Sequence, residues 1–200
     1  LMAVLVTGGA GYIGSAFVEQ LVGVGEETVG LDDLSRGHRG AVEPGATFYE
    51  GRTGDRELVA RIARQHALDA CVHFAAYAYV GESVQDPLKY YRNNTCATRN
   101  LLECCVDAGV KHFVFSSTAA VYGIPDSEQC WEDTPTRPIN PYGMSKLMTE
   151  HMLRDLGEAS DLSYVILRYF NVAGADPLGR AGEIGKPTHL IARFELNPVG

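Results

Sequence analysis

The run Gly8-Gly9-Ala10-Gly11-Tyr12-Ile13-Gly14 constrains this chain more than any other feature, because it joins the apolar segment Met2–Thr7 to the helical stretch Gly11–Val24. At a strand-to-helix junction, glycines permit a tight turn, close approach of the backbone to a pyrophosphate, and packing of the helix on the sheet. The helix start adds N–H groups and positive dipole character. Gly8, Gly11 and Gly14 are therefore candidate dinucleotide-binding positions. Asp32 ends the second apolar run, Thr28–Asp33. There a carboxylate can accept from the adenosine ribose hydroxyls and repel a 2′-phosphate, which favours NAD over NADP. The competing reading is that Asp32-Asp33 only starts a turn, and Arg36 is the one nearby residue that argues for the phosphorylated cofactor.

Continuous apolar runs recur at Ala70–Ala75, Lys111–Ser117 and Ser163–Tyr169, and they alternate with helical stretches at Asp55–His66, Pro87–Ala108 and Pro141–Leu156. Strands of this kind are buried on both faces, and the alternation predicts an α/β fold: a Rossmann-type, doubly wound parallel sheet. With no repeat and no linker, residues 1–170 read as one NAD-binding domain. From Asn171 the texture changes, with Gly174, Pro177, Gly179, Gly182, Gly185 and Pro187 punctuating an irregular stretch. Residues 171–200 are expected to begin a substrate-binding lobe that is largely missing from the sequence.

Composition narrows the partners. A net charge of −8, without a Lys/Arg-rich run, argues against nucleic acid. The longest mostly apolar stretch, Ala70–Val80, is too short to span a membrane. The start shows no basic n-region, and Leu1 reads as an addition to the natural beginning. The five cysteines, Cys71, Cys96, Cys104, Cys105 and Cys130, have no metal-ligand spacing. Reduced thiols, a cytoplasmic location and no metal site are expected, with Cys104-Cys105 serving as small buried apolar residues.

The strand His112–Ser117 is followed by Thr118 and later by Tyr142-Gly-Met-Ser-Lys146. On a helix at 100° per residue, Tyr142 and Lys146 lie about 40° apart on one face. A phenol is a poor base at neutral pH, but a neighbouring ammonium and a positive nicotinamide both favour phenolate. Lys146 could also bond the nicotinamide ribose, and Thr118 could orient a substrate hydroxyl.

These pieces resemble the extended short-chain dehydrogenase/reductase family and, within it, the UDP-glucose (UDP-galactose) 4-epimerases. The resemblance is carried by Thr7-Gly-Gly-Ala-Gly-Tyr-Ile-Gly-Ser15, Leu31-Asp-Asp-Leu-Ser35, His73-Phe-Ala-Ala76, Val80-Gly-Glu-Ser83, Asn93-Asn94, Ser116-Ser-Thr-Ala-Ala-Val-Tyr-Gly123, Asn140–Lys146, Arg168-Tyr-Phe-Asn171 and Thr188-His-Leu-Ile191. It implies that Tyr12, Ile13, Asp32, Asp33, Ser35, Phe74, Ala75, Ala76, Asn94, Lys146 and Phe170 contact NAD. It also implies catalysis by Thr118, Tyr142 and Lys146, and a UDP-sugar site formed by Thr118, Tyr142, Asn171, His189 and Leu190. His73 itself reads as a satisfied core histidine.

Related dehydratases carry acidic residues near the position of Thr118, where this chain has Ala119-Ala120, so the resemblance favours epimerisation through a 4-keto sugar. Two further readings stay open: a UDP-pentose 4-epimerase, and a non-catalytic NAD-binding sensor or interaction protein. The chain departs from the family at Arg52-Thr53, where relatives place an acidic then an apolar residue against adenine, and at Ala78, where many have lysine. The family's diphosphate-binding arginines would lie beyond Gly200. A homodimer through the helices at Pro87–Ala108 and Pro141–Leu156 is implied by the resemblance, with Met148, Met152 and Leu156 offering an apolar stripe; ordinary core packing explains that stripe equally well.

Overall fold

A strand buried on both faces can satisfy its backbone only through neighbouring strands, and all five apolar runs do so. The computed structural model describes residues 3–174. In chain order these form β1 (Ala3–Thr7), α1 (Tyr12–Gly23), β2 (Glu27–Asp32), β3 (Thr47–Glu50), α2 (Arg56–His66), β4 (Leu68–His73), α3 (Val80–Gln85) and α4 (Pro87–Tyr90). A π-helical segment, Tyr91–Cys96, leads into α5 (Ala97–Asp107), which is followed by β5 (His112–Thr118), α6 (Pro141–Ala159) and β6 (Ser163–Tyr169).

The strands make one parallel sheet in the order β3-β2-β1-β4-β5-β6. The chain winds outward in both directions from β1, so a crevice opens at the carboxyl ends of β1 and β4, where ligands of such sheets bind. Register aligns those ends: Thr7 pairs with Leu31 on one side and with His73 on the other.

Three elements depart from the sequence reading. β6, expected to be buried on both faces, is an edge strand paired only to β5, and none of its residues is fully buried. β3 is an edge strand paired only to β2. All four of its residues are at least half-exposed or partly exposed, so it carries no continuous apolar run. The helix expected across Pro87–Ala108 is instead α4, a π-helical turn and α5. π-Turns inside helices often mark functional sites, and this one directs Asn94 into the protein.

The core lies between sheet and helices, where Leu5, Val29, Leu31, Ile62, Leu101, Phe113, Phe115 and Leu153 are fully buried. Each such side chain contributes roughly 1.5–3 kcal/mol. Met152 and Leu156 pack against this core, and Met148 is exposed; the apolar stripe of α6 is thus divided between core and surface. The start of α6 is set by Asn140, whose side chain accepts from Gly143 N–H at 2.8 Å, with Pro141 in the first turn. Among the described residues no helix is long and apolar enough to cross a membrane.

Candidate active site

The crevice is a cleft of about 1050 Å³. The glycine turn forms its floor. Gly8 has φ +74°, and its N–H donates to Leu31 O at 2.7 Å while its carbonyl accepts from Gly11 N–H at 3.0 Å. A Cβ on Gly8 would stand 2.7 Å from the Ala75 nitrogen, and one on Gly14 would run into the Gly8 carbonyl. The N-terminal turn of α1, where helical N–H groups lack intrahelical acceptors, adjoins the cleft, and Gly11 places no side chain over it.

Asp32 stands at the end of β2 with both carboxylate oxygens engaged, accepting from Ala10 N–H at 3.1 Å and from Leu34 N–H at 2.8 Å. Burial pushes its carboxyl above the ordinary range, while those two N–H groups pull it back. Asp33 accepts from Ser35 N–H at 3.0 Å and forms an ion pair with Arg52, Nε to Oδ2 at 3.4 Å. Phe74, Ala75 and Ala76 line the wall beyond β4, and Tyr12 and Ile13 line the cleft beside the glycines. Arg36 lines the cleft but is already engaged. Its Nη2 lies 3.2 Å from both Glu82 oxygens, and its guanidinium sits 4.6 Å above the Tyr79 ring.

This cradle fits a dinucleotide. Its floor has no room for side chains, its helix start favours phosphate, and a carboxylate stands where a 2′-hydroxyl is read. Of the residues expected to contact NAD, Gly8, Gly11, Tyr12, Ile13, Gly14, Asp32, Asp33, Ser35, Phe74, Ala75 and Ala76 line it.

Thr118, Tyr142 and Lys146 come together where β5 meets α6. The Thr118 oxygen accepts from Ala120 N–H at 3.1 Å, and its hydroxyl stands beside the Tyr142 phenol. Lys146 is buried; its Nζ donates to Ser116 O at 2.8 Å and lies 4.9 Å above the Phe115 ring. Ser116 also lines the cleft, so Lys146 meets the cleft wall through that residue. Burial brings the Lys146 ammonium down to about 7. The phenol differs from the expectation: burial raises Tyr142 above the ordinary tyrosine value, and the neighbouring Thr118 hydroxyl opposes it. With its midpoint near 7, Lys146 is only partly protonated at neutral pH, which reduces the positive charge expected to favour phenolate.

Other expected contacts fall elsewhere. Asn94 does not line the cleft, whereas Asn93 does. The Asn94 side chain is consumed by the protein: it accepts from Tyr77 N–H at 2.9 Å and donates to Tyr77 O at 2.9 Å and to Ser145 Oγ at 3.1 Å. It joins the cleft wall to α6 rather than presenting its amide to the cleft. Phe170 is 69% exposed and Asn171 is exposed, both outside the cleft lining. His189 and Leu190 lie outside the described residues.

His73 is buried between two hydroxyls, 2.6 Å from Thr7 Oγ1 and 2.8 Å from Thr98 Oγ1. Thr98 donates its own proton to Asn94 O at 2.7 Å, so it accepts from His73 Nε2–H, and Nδ1 accepts from Thr7. Burial, and then the Lys146 charge, lower His73 to about 3. It is a neutral core residue.

Sequence reasoning missed two carboxylates. Glu82 accepts from Lys89 Nζ at 2.6 Å and from the Tyr90 hydroxyl at 2.8 Å, and the Tyr90 ring meets Tyr142 edge-on at 6.4 Å. Glu150 is wholly buried beneath the catalytic face of α6. The only sequence signal for Glu150 is its spacing, four residues beyond Lys146.

Residues 4–197 match the family described as NAD dependent epimerase/dehydratase. UDP-glucose 4-epimerase of Azospirillum brasilense is 57% identical over 189 residues, which is 94% of this chain and 54% of that protein. UDP-arabinose 4-epimerase 1 of Arabidopsis thaliana is 48% identical over 193 residues, 92% of this chain and 46% of that protein. The crystal structure of UDP-glucose 4-epimerase from Brucella ovis in complex with NAD superposes with a TM-score of 0.93 at 47% identity, covering 96% of this chain and 59% of that one. The chain spans about half the length of the curated relatives it matches.

Proposed function

We propose, from the premise that the chain belongs to the NAD dependent epimerase/dehydratase family, that it carries the cofactor-binding and catalytic half of a UDP-sugar 4-epimerase. Residues 1–170 are the NAD-binding domain in this reading, and 171–200 begin the nucleotide-sugar lobe. The observation that carries it is the meeting of Thr118, Tyr142 and Lys146 beside a cleft shaped for a dinucleotide.

NAD, when bound, supplies a hydride acceptor and a positive ring that favours phenolate. Asp32 holds the adenosine ribose, the start of α1 holds the pyrophosphate, and Lys146 reaches the nicotinamide ribose. Tyr142 takes the proton of the C4 hydroxyl as C4 becomes a ketone. Thr118 orients that oxygen and keeps the proton path short. After the keto sugar turns over, Tyr142 returns the proton as C4 is reduced from the other face. Ala119-Ala120 provide no carboxylate for expelling water, in keeping with epimerisation rather than dehydration.

UDP-glucose and UDP-galactose are the first substrates to test, placing the protein in galactose metabolism. The similarity to the Arabidopsis UDP-arabinose 4-epimerase supports UDP-pentoses as the second pair. The free cysteines among the described residues are in keeping with a reducing, cytoplasmic setting, and a homodimer is part of the same reading.

Denaturing the purified protein should release NAD, and native protein given UDP-galactose or UDP-arabinose should yield the C4 epimer. Bound NAD without turnover, in a chain extended to the length of its relatives, would make the protein a sensor rather than an enzyme.

A further inference from the structure

Three consecutive residues at the end of β5 are each engaged by one residue of α6. The Ser116 carbonyl accepts from Lys146 Nζ at 2.8 Å, the Ser117 hydroxyl donates to Glu150 Oε1 at 2.5 Å, and the Thr118 hydroxyl stands beside the Tyr142 phenol. The helix residues are spaced by four, so each step drifts only about 40° and the three form one stripe. Tyr142 and Lys146 have chemical roles in the proposed reaction. Glu150 does not, and it is not among the residues lining the cleft.

Both of its oxygens are fully committed. Oε1 accepts from Ser117 and from Arg168 Nε at 3.0 Å, while Oε2 accepts from Arg168 Nη2 at 2.7 Å and Arg154 Nη2 at 3.0 Å. Arg168, on β6, also stacks 4.8 Å above the Tyr122 ring. An apolar group of equal volume would hold these elements together at least as firmly as a buried ion pair. It would not fix how far β5 has slid along α6. A directional hydrogen bond from Ser117, immediately before Thr118, does.

We propose that Glu150 is a positioning residue: through Ser117 it fixes the end of β5 against α6, and so sets how closely the Thr118 hydroxyl approaches the Tyr142 phenol. Around the phenol stand Thr118 from β5, the Tyr90 ring from α4, whose hydroxyl meets Glu82 of α3, and Lys146 one turn along α6. Glu150 lies about 12 Å along the helix from Tyr142. Its direct field and its positioning action have opposite signs. Removing a negative charge favours phenolate, whereas drawing the Thr118 hydroxyl away from the phenol disfavours it.

The inference rests on reading Tyr142 as the proton-transferring phenol, but its test needs neither cofactor nor sugar. The full chain is labelled with 3-fluorotyrosine and titrated by fluorine NMR, with Tyr142→Phe assigning the signal. Ser117→Ala, which leaves the buried charges paired, should raise the Tyr142 midpoint by about one pH unit. Glu150→Gln should also raise it, against the sign of the lost charge. In a Thr118→Val background the Ser117→Ala shift should vanish. Circular dichroism checks folding, and if Glu150→Gln does not fold, Ser117→Ala decides alone. An unchanged midpoint in folded Ser117→Ala, or a shift that persists without the Thr118 hydroxyl, overturns the proposal. A chain that never epimerises a sugar would instead sink the functional reading and leave these titrations standing.

Discussion

Lys146 donates from its Nζ to the Ser116 carbonyl across 2.8 Å, so the ammonium of α6 is fastened to β5 before any ligand arrives. The bond holds Lys146 beside the cleft but replaces little of the hydration it has lost. Burial has brought the group from 10.5 to about 7. A buried cation is a cost to the fold, and that cost depends on pH.

Between about pH 7 and 10.5 the unfolded chain holds a proton on Lys146 that the folded chain lacks. Stability therefore rises with pH through this window, and the penalty is complete below it. Lys146→Met should stabilise the cofactor-free protein near pH 6 by on the order of 3–5 kcal/mol. The advantage should shrink as pH approaches 10.5, as read from urea denaturation at several pH values. A variant no more stable than wild type at pH 6 would show that the ammonium is better solvated than its surroundings indicate.

His73 gives the complementary acid limb. Its folded value is about 3 against 6.5 when unfolded, so unfolding takes up a proton between those values, and stability is lost as pH falls through that range. His73→Gln offers a neutral donor and acceptor to Thr98 and Thr7. It should show a flatter decline than wild type between pH 6.5 and 3, measured by the same denaturation series. Parallel curves would contradict a neutral histidine in the folded state.

The parts of the fold that were legible in the sequence are those whose cause is local. Four strands announced themselves as continuous apolar runs because both of their faces are covered. The edge strands differ from them and from each other: β6 carries an apolar run although none of its residues is fully buried, whereas Thr47–Glu50, equally uncovered, carries none. The glycine turn was legible because Gly8 and Gly14 are demanded by the backbone's close approach to itself and to Ala75. Nothing in the sequence separates Asn93, which lines the cleft, from Asn94, whose amide is taken up by Tyr77 and Ser145: neighbours on a helix point about 100° apart, and which of them faces the cleft is fixed only once the π-helical turn packs against α6. Glu150 gave no warning, because its partners Ser117 and Arg168 meet it only after β5 and β6 pair in register at Ser117↔Arg168.

The same close approach makes Gly14 a test of the cradle. A Cβ there would collide with the Gly8 carbonyl, which belongs to backbone and cannot rotate aside. Gly14→Ala should displace the turn from the start of α1 and weaken NAD binding at least tenfold, about 1.4 kcal/mol, by isothermal titration calorimetry. Gly23→Ala, at a glycine where a Cβ meets nothing within 4 Å, should leave binding unchanged. Equal affinities for wild type and Gly14→Ala would place the dinucleotide elsewhere.

Arg52 marks the one place where the cleft runs against its expected ligand. It follows β3, lines the cleft beside Thr53, and its side chain is 76% exposed. Its Nε reaches Asp33 Oδ2 at 3.4 Å, so the carboxylate next to Asp32 faces a positive charge. The exocyclic amine of adenine needs an acceptor, and a guanidinium offers only donors. Exposure limits the energy involved, since exposed ion pairs contribute up to about 1 kcal/mol; the gain should come mainly from the new hydrogen bond to the amine. Arg52→Asp should tighten NAD binding by about three- to tenfold, roughly 0.5–1.5 kcal/mol, with the gain lost for the hypoxanthine analogue, which has no amine. If both dinucleotides gained equally, general electrostatics rather than base recognition would account for the change.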